Sequence, residues 1–198
     1  MSVLVKICGL TDSVDVSAVI NAGADAIGFV FAESVRQVSV ERALEISRHV
    51  PKHIRRVAVM LHPAQEEWQL VAKGFSPDVL QTDAADFDYL EVADNIERWP
   101  VYRESQDMDV ERMPDTFVYE GTRSGQGKTV DWQAASLLAA TKKMILGGGL
   151  APHNVAAAIR QVCPFGVDVS SAVEASPGRK DAEKIAAFVA AAKSVEFQ

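Results

Sequence analysis

Short apolar runs alternate with amphipathic stretches from one end of this chain to the other. The runs "VLVKIC" (3–8), "DAIGFVF" (25–31), "RRVAVML" (55–61), "PDVLQT" (77–82), "DTFVYE" (115–120), "KKMILGG" (142–148) and "GVDVS" (166–170) predict strands. Several are apolar along their whole length rather than alternating, as parallel strands covered on both faces read. Helices are predicted between them over 11–21, 40–49, 64–73, 131–140, 152–162 and 181–193. Thr11 or Asp12 can cap the first and Gly23 ends it, while Pro152 suits the first turn of the fifth. Between 83 and 115 the pattern weakens to a poor helix, a strand near "PVYRE" (100–104) and one more turn.

Alternation of this kind implies parallel strands joined by right-handed crossovers. An open doubly wound sheet and a closed (β/α)8 TIM barrel both satisfy it. Eight β-then-α units favour the barrel. With 198 residues it must be compact with short loops, since such barrels span roughly 200–400 residues. No linker, composition break or low-complexity tract divides the sequence, so one domain over 1–198 is expected.

Composition narrows the partners. Twenty basic residues face 27 acidic ones, a net charge of −7 with no basic block, which argues against nucleic acid and anionic membrane. Cys8 and Cys163 form no CxxC pair and no disulfide framework. The start of the chain lacks a signal-peptide pattern, and no apolar stretch approaches the roughly 18 residues that span a bilayer. A reduced cytoplasm is therefore the expected location.

In a barrel the chemistry sits where strands end. Cys8 ends the first strand, Arg36 follows the second, Glu120 ends the sixth, and Asp168, Ser170 and Ser171 end the eighth. Gly148 and Gly149 follow the seventh, in "LGGGLAPHNV". Glycine turns and small hydroxyls after the last two strands are where barrels frequently bind phosphate through backbone N–H groups. The other candidates read two ways. Cys8 is either a small buried hydrophobe or a thiolate base whose pKa, about 8.5 when free, its surroundings must lower. Glu120 is a solvated loop edge or an acid–base group, and Arg36 a surface charge or an anion clamp. Asp131, at a helix start, reads as a cap. Cys163 follows a helix and reads as structural, and His62 lies near the site without an identifiable partner.

Together "VKICGLT" (5–11), "AGADAIGFVFAESVRQVS" (22–39), "SGQGKTVDW" (124–132), "GGLAPHNV" (148–155) and "VDVSSAVEASPGRKD" (167–181) resemble the phosphoribosylanthranilate isomerase family of tryptophan biosynthesis. The resemblance implies a barrel that carries out an Amadori rearrangement of a small phosphorylated substrate. It implies Cys8 as general base and Glu120 as general acid. It places Arg36 on the anthranilate carboxylate and Asp168 on the sugar. Gly148, Gly149, Ser170 and Ser171 hold the phosphate. Neither metal nor redox cofactor is implied, and a monomer or homodimer is expected.

The chain departs from the family pattern in places. Glu120 replaces the usual aspartate, Ser124-Gly125-Gln126-Gly127 the usual Gly-Gly-x-Gly, and Val130 a phenylalanine. Gln81-Thr82-Asp83-Ala84 replaces Gln-Leu-His-Gly, and Ala172 a glycine. Other readings are a related histidine-pathway or dual-activity isomerase, whose histidine-pathway relatives carry aspartate where Cys8 stands, and a barrel that binds phosphorylated ligands without catalysis.

Overall fold

A computed structural model describes residues 3–104, 108–121 and 129–195. Eight parallel strands close into a barrel in chain order: β1 (Leu4–Cys8), β2 (Ala26–Val30), β3 (Arg55–Val59), β4 (Val79–Asp83), β5 (Glu97–Arg103), β6 (Thr116–Glu120), β7 (Lys143–Leu146) and β8 (Gly166–Val169). The first strand pairs with both β2 and β8, so the ring has no open edge. The helices are α1 (Ser13–Ala22), α2 (Val40–Ser47), α3 (Gln65–Phe75), α4 (Trp132–Ala139), α5 (Val155–Val162) and α6 (Ala182–Lys193). Asp12, Ser39, Asp131 and Asp181 cap four of them by accepting first-turn N–H groups. None of the helices is long and apolar enough to cross a membrane among the described residues.

Strand residues alternate between two environments. One set faces the helices and forms the larger core, with Ile7, Phe29, Leu80, Phe117 and Leu146 fully buried there. The other fills the barrel floor: Leu4, Ala26, Val57, Val79, Trp99, Val101, Val118 and Ile145. Stepping by two from that floor toward the strand ends reaches polar residues, among them Lys6, Cys8, Gln81, Asp83, Arg103, Glu120 and Asp168. The barrel is therefore dry below and chemical above.

The expected helix after β4 is a short 3-10 turn, Ala84–Asp88. Asp86 accounts for it: the buried carboxylate accepts from the His62 backbone N–H, the Thr82 hydroxyl and the Tyr89 hydroxyl. These side-chain bonds compete with a regular helical ladder. Between β5 and β6 the described residues form turns, so not every crossover is helical. The fifth helix begins at Val155 rather than at Pro152. Asn154 holds the preceding turn, accepting from Ala151 N–H at 2.8 Å and donating to Gly149 C=O at 2.9 Å.

Candidate active site

At the C-terminal ends of the strands a cavity of about 850 Å³ opens. Cys8, Arg36, Glu120, Asp168, Gly148, Gly149, Ser170 and Ser171 all line it, so the structure brings every predicted site residue together. The loop Ser124-Gly125-Gln126-Gly127 lies outside the described residues. Asp131 caps α4, accepting from the N–H groups of Gln133 and Ala134. Cys163 is exposed, at the left-handed C-cap of α5.

Cys8 sits over a buried ammonium. Lys6, two residues earlier on the same inward row, is fully buried and its Nζ donates to Asp168 Oδ1 at 2.8 Å. Burial works against the lysine's charge, but Asp168 and Cys8 outweigh it and hold Lys6 above its ordinary value. Burial likewise pushes the Cys8 thiol up, Asp168 adds to that, and Lys6 and Lys180 pull against it. Gly28 on β2 makes this packing possible. A Cβ there would lie 2.9 Å from Cys8 Sγ and 3.2 Å from Lys6 Cε.

Arg36 is held from one side. Its Nε and Nη2 donate to the two oxygens of Glu174 at 2.6 and 2.9 Å, a bidentate fork. Lys180 Nζ donates to the same Glu174 Oε1 at 3.0 Å and to Ser170 C=O at 3.0 Å. Burial opposes the charge of Glu174, yet Arg36 and Lys180 prevail and keep its carboxyl below the usual value. Burial lowers Lys180 itself, against the pull of Glu174. Nη1 of Arg36 makes no hydrogen bond among the described residues, and Arg36 lines the cavity. Gly9, at φ +77°, lets the arginine stem pass, since a Cβ there would lie 2.5 Å from Arg36 Cδ.

The loops after β7 and β8 turn sharply at the cavity. Gly148 and Gly149 take positive φ values of 82° and 63°, and a 3-10 turn, Ser171–Val173, follows β8. The N–H groups of Gly148, Gly149 and Ser170 make no hydrogen bond to the protein among the described residues. Such N–H groups in a concave turn suit an anion. The Ser170 hydroxyl is otherwise engaged, donating to Cys8 C=O at 3.1 Å and so tying the end of β8 to the end of β1.

On the far side, Arg103 Nη1 lies 2.6 Å from Asp83 Oδ1 and its Nη2 3.3 Å from Glu120 Oε1. His62 has the partners its sequence context did not reveal: Nδ1 is 2.8 Å from Asp86 and Nε2 3.3 Å from Asp83. A hydrogen bond to Asp86 raises the His62 pKa against slight desolvation. Sequence reasoning missed Lys6, Gly28, Lys180, Glu174, Asp83 and Arg103 as parts of the site. Period-two counting back from Cys8 was the available signal for Lys6, while Arg103 fell in the weak middle of the pattern.

The N-(5'phosphoribosyl)anthranilate (PRA) isomerase family model matches residues 5–191. The chain belongs to the phosphoribosylanthranilate isomerase family. A Listeria monocytogenes N-(5'-phosphoribosyl)anthranilate isomerase is 40% identical over 205 residues, covering 98% of this chain and 100% of its own length. The crystal structure of phosphoribosylanthranilate isomerase from Thermotoga maritima superposes with a TM-score of 0.83 at 32% identity, over 98% of this chain and 100% of that one. A further phosphoribosylanthranilate isomerase structure, in complex with reduced 1-(o-carboxyphenylamino)-1-deoxyribulose 5-phosphate, gives 0.83 at 34% identity over the same shares. This isomerase barrel ends β6 in Glu120, a departure from the aspartate of the family pattern.

Proposed function

We propose that Cys8 and Glu120 are the base and acid with which this isomerase converts N-(5'-phosphoribosyl)anthranilate into 1-(2-carboxyphenylamino)-1-deoxyribulose 5-phosphate, in tryptophan biosynthesis. The observation that carries the reading is their placement at the ends of β1 and β6, facing one cavity. Glu120 gives its proton to the furanose ring oxygen. The C1′–O bond breaks with its electron pair on that oxygen, and the nitrogen lone pair closes C1′=N. Cys8, as thiolate, takes the C2′ proton, and the freed pair forms C1′=C2′ as the iminium nitrogen recovers its own. The enolamine becomes the ketone as C1′ gains a proton and the 2′-hydroxyl loses one. Those two transfers balance the proton held by Cys8 and the one spent by Glu120.

The remaining groups bind. Arg36 offers Nη1 to the anthranilate carboxylate while Glu174 fixes the rest of its fork. Asp168 meets the sugar, with Lys6 behind it. The N–H groups of Gly148, Gly149 and the Ser170–Ser171 turn take the phosphate. A reduced cytoplasm suits an enzyme that needs its thiol free. Among the described residues no cluster of His, Cys, Asp and Glu is arranged to hold a metal.

Steady-state loss of substrate fluorescence tests the pair. Cys8→Ala is expected to abolish turnover while product affinity, read by calorimetry, stays within a few-fold. Glu120→Gln is expected to lower kcat by at least ~100-fold, the lower end of what a positioned acid supplies. Near-normal turnover in either variant assigns that role to another group, and a worse defect in Asp131→Asn identifies a different acid.

A further inference from the structure

We propose that Arg103, anchored by Asp83, is the positioning residue of the acid: it holds the Glu120 carboxyl toward the substrate and meets the negative charge left when the proton departs. The inference rests on the reading of Glu120 as the acid.

Three neighbouring strands supply the arrangement. Arg103 lies directly across the ladder from Glu120, and Asp83 across from Val101, two residues before Arg103. All three side chains border the cavity, and each is about one-seventh exposed, at 13–16%. Solvent therefore screens their charges only weakly. The guanidinium spans the two carboxyls, Nη1 to Asp83 at 2.6 Å and Nη2 to Glu120 at 3.3 Å.

Glutamate has one more rotatable bond than the family's aspartate, and so more freedom to lose when it is brought into line. Misplacement by about 1 Å can cost a catalytic group two orders of magnitude. A rigid planar fork supplied from the adjacent strand restricts that freedom. Asp83 holds the other arm of the fork at 2.6 Å, and His62 Nε2 lies 3.3 Å from the opposite Asp83 oxygen. Arg103 is thereby fixed on one side and orients the acid on the other. As the Glu120 O–H bond breaks and the new O–H bond forms at the ring oxygen, the carboxylate produced already faces a cation.

The test compares wild type, Glu120→Gln, Arg103→Met, Arg103→Lys, Asp83→Asn and the Arg103→Met/Asp83→Asn double variant, with kcat and KM read separately and folding checked by thermal melts. Arg103→Met is expected to lower kcat by about 10- to 100-fold with KM within about twofold of wild type. Arg103→Lys is expected to recover most of that loss. Asp83→Asn lowers kcat in a way that depends on Arg103, so the double variant is no worse than Arg103→Met alone. Unchanged kcat in Arg103→Met, a rise in KM with kcat intact, or no recovery by lysine overturns the proposal. If Arg103→Met fails to fold, Asp83→Asn and Arg103→Lys decide: wild-type kcat in Asp83→Asn overturns it. Undiminished turnover in Glu120→Gln removes the reading of the acid itself, a separate and recognisable failure.

Discussion

At the scale of single residues, the site depends on buried charges set against each other. Lys6 is an ammonium in the middle of a barrel, tolerable because Asp168 neutralises it at 2.8 Å and a thiol lies beside it. Its effect on Cys8 can be read without substrate. In a Cys163→Ser background, the pH midpoint for alkylation of Cys8 is expected above the ordinary thiol value of about 8.5, since burial raises it. Lys6→Met removes a cation that favours the thiolate and leaves Asp168, which opposes it. The midpoint should therefore move further up, and a downward or absent shift shows that Lys6 does not act on the thiol.

At the scale of elements, the loop that follows β8 depends on Glu174, where the short antiparallel pair β9 (Glu174–Ser176) and β10 (Arg179–Lys180) begins. Its carboxylate joins Arg36 from the β2 loop to Lys180 of β10. Glu174→Gln leaves the buried Lys180 and Arg36 without their anion and is expected to cost about 3 kcal/mol, lowering Tm by roughly 6–12 °C. The folded-state pKa of Glu174 is depressed, so its contribution is present above the unfolded value of about 4.3 and is lost as pH falls below it. The Tm gap between wild type and variant should narrow in that direction, and a gap independent of pH rules the ion pair out as its cause. Much of the element scale was legible in the sequence. Continuous apolar runs such as "AIGFV" and capping aspartates such as Asp12 and Asp181 declare themselves locally. The segment after β4 did not, because Asp86 is organised by His62, Thr82 and Tyr89 rather than by its own helical neighbours. Cys8 and Glu120 were visible as strand ends. The partners Lys6, Asp83 and Arg103 needed the closed ring, which fixes which side of each strand faces inward.

At the scale of the whole molecule, the final helix fastens the ring from below. Lys193 on α6 donates to Val3 C=O at 3.1 Å and to Asp25 at 2.5 Å, and Asp25 in turn accepts from Val5 N–H at 2.7 Å. This latch lies at the end of the barrel opposite the cavity. Lys193→Met is expected to cost about 1.5 kcal/mol, the lower end for hydrogen bonds to a charged group, and to lower Tm by roughly 3–6 °C with kcat and KM unchanged. A kinetic defect in that variant contradicts the separation of a stabilising lower face from a catalytic upper one.

The bond from the Ser170 hydroxyl to the Cys8 carbonyl, and the pairing of β1 with β8 beneath it, bear on how the enzyme is made. The thiol stands on β1, and β8, the strand that closes the ring beside it, follows only after six further strands. Until β8 is in place the chain carries an unseated cysteine on an unfinished sheet edge, open to oxidation or to pairing with a neighbouring chain. Ring closure buries the thiol and brings Asp168 to the Lys6 ammonium beside it in a single event. The interval before closure, rather than the life of the closed barrel, is when this cysteine is most vulnerable.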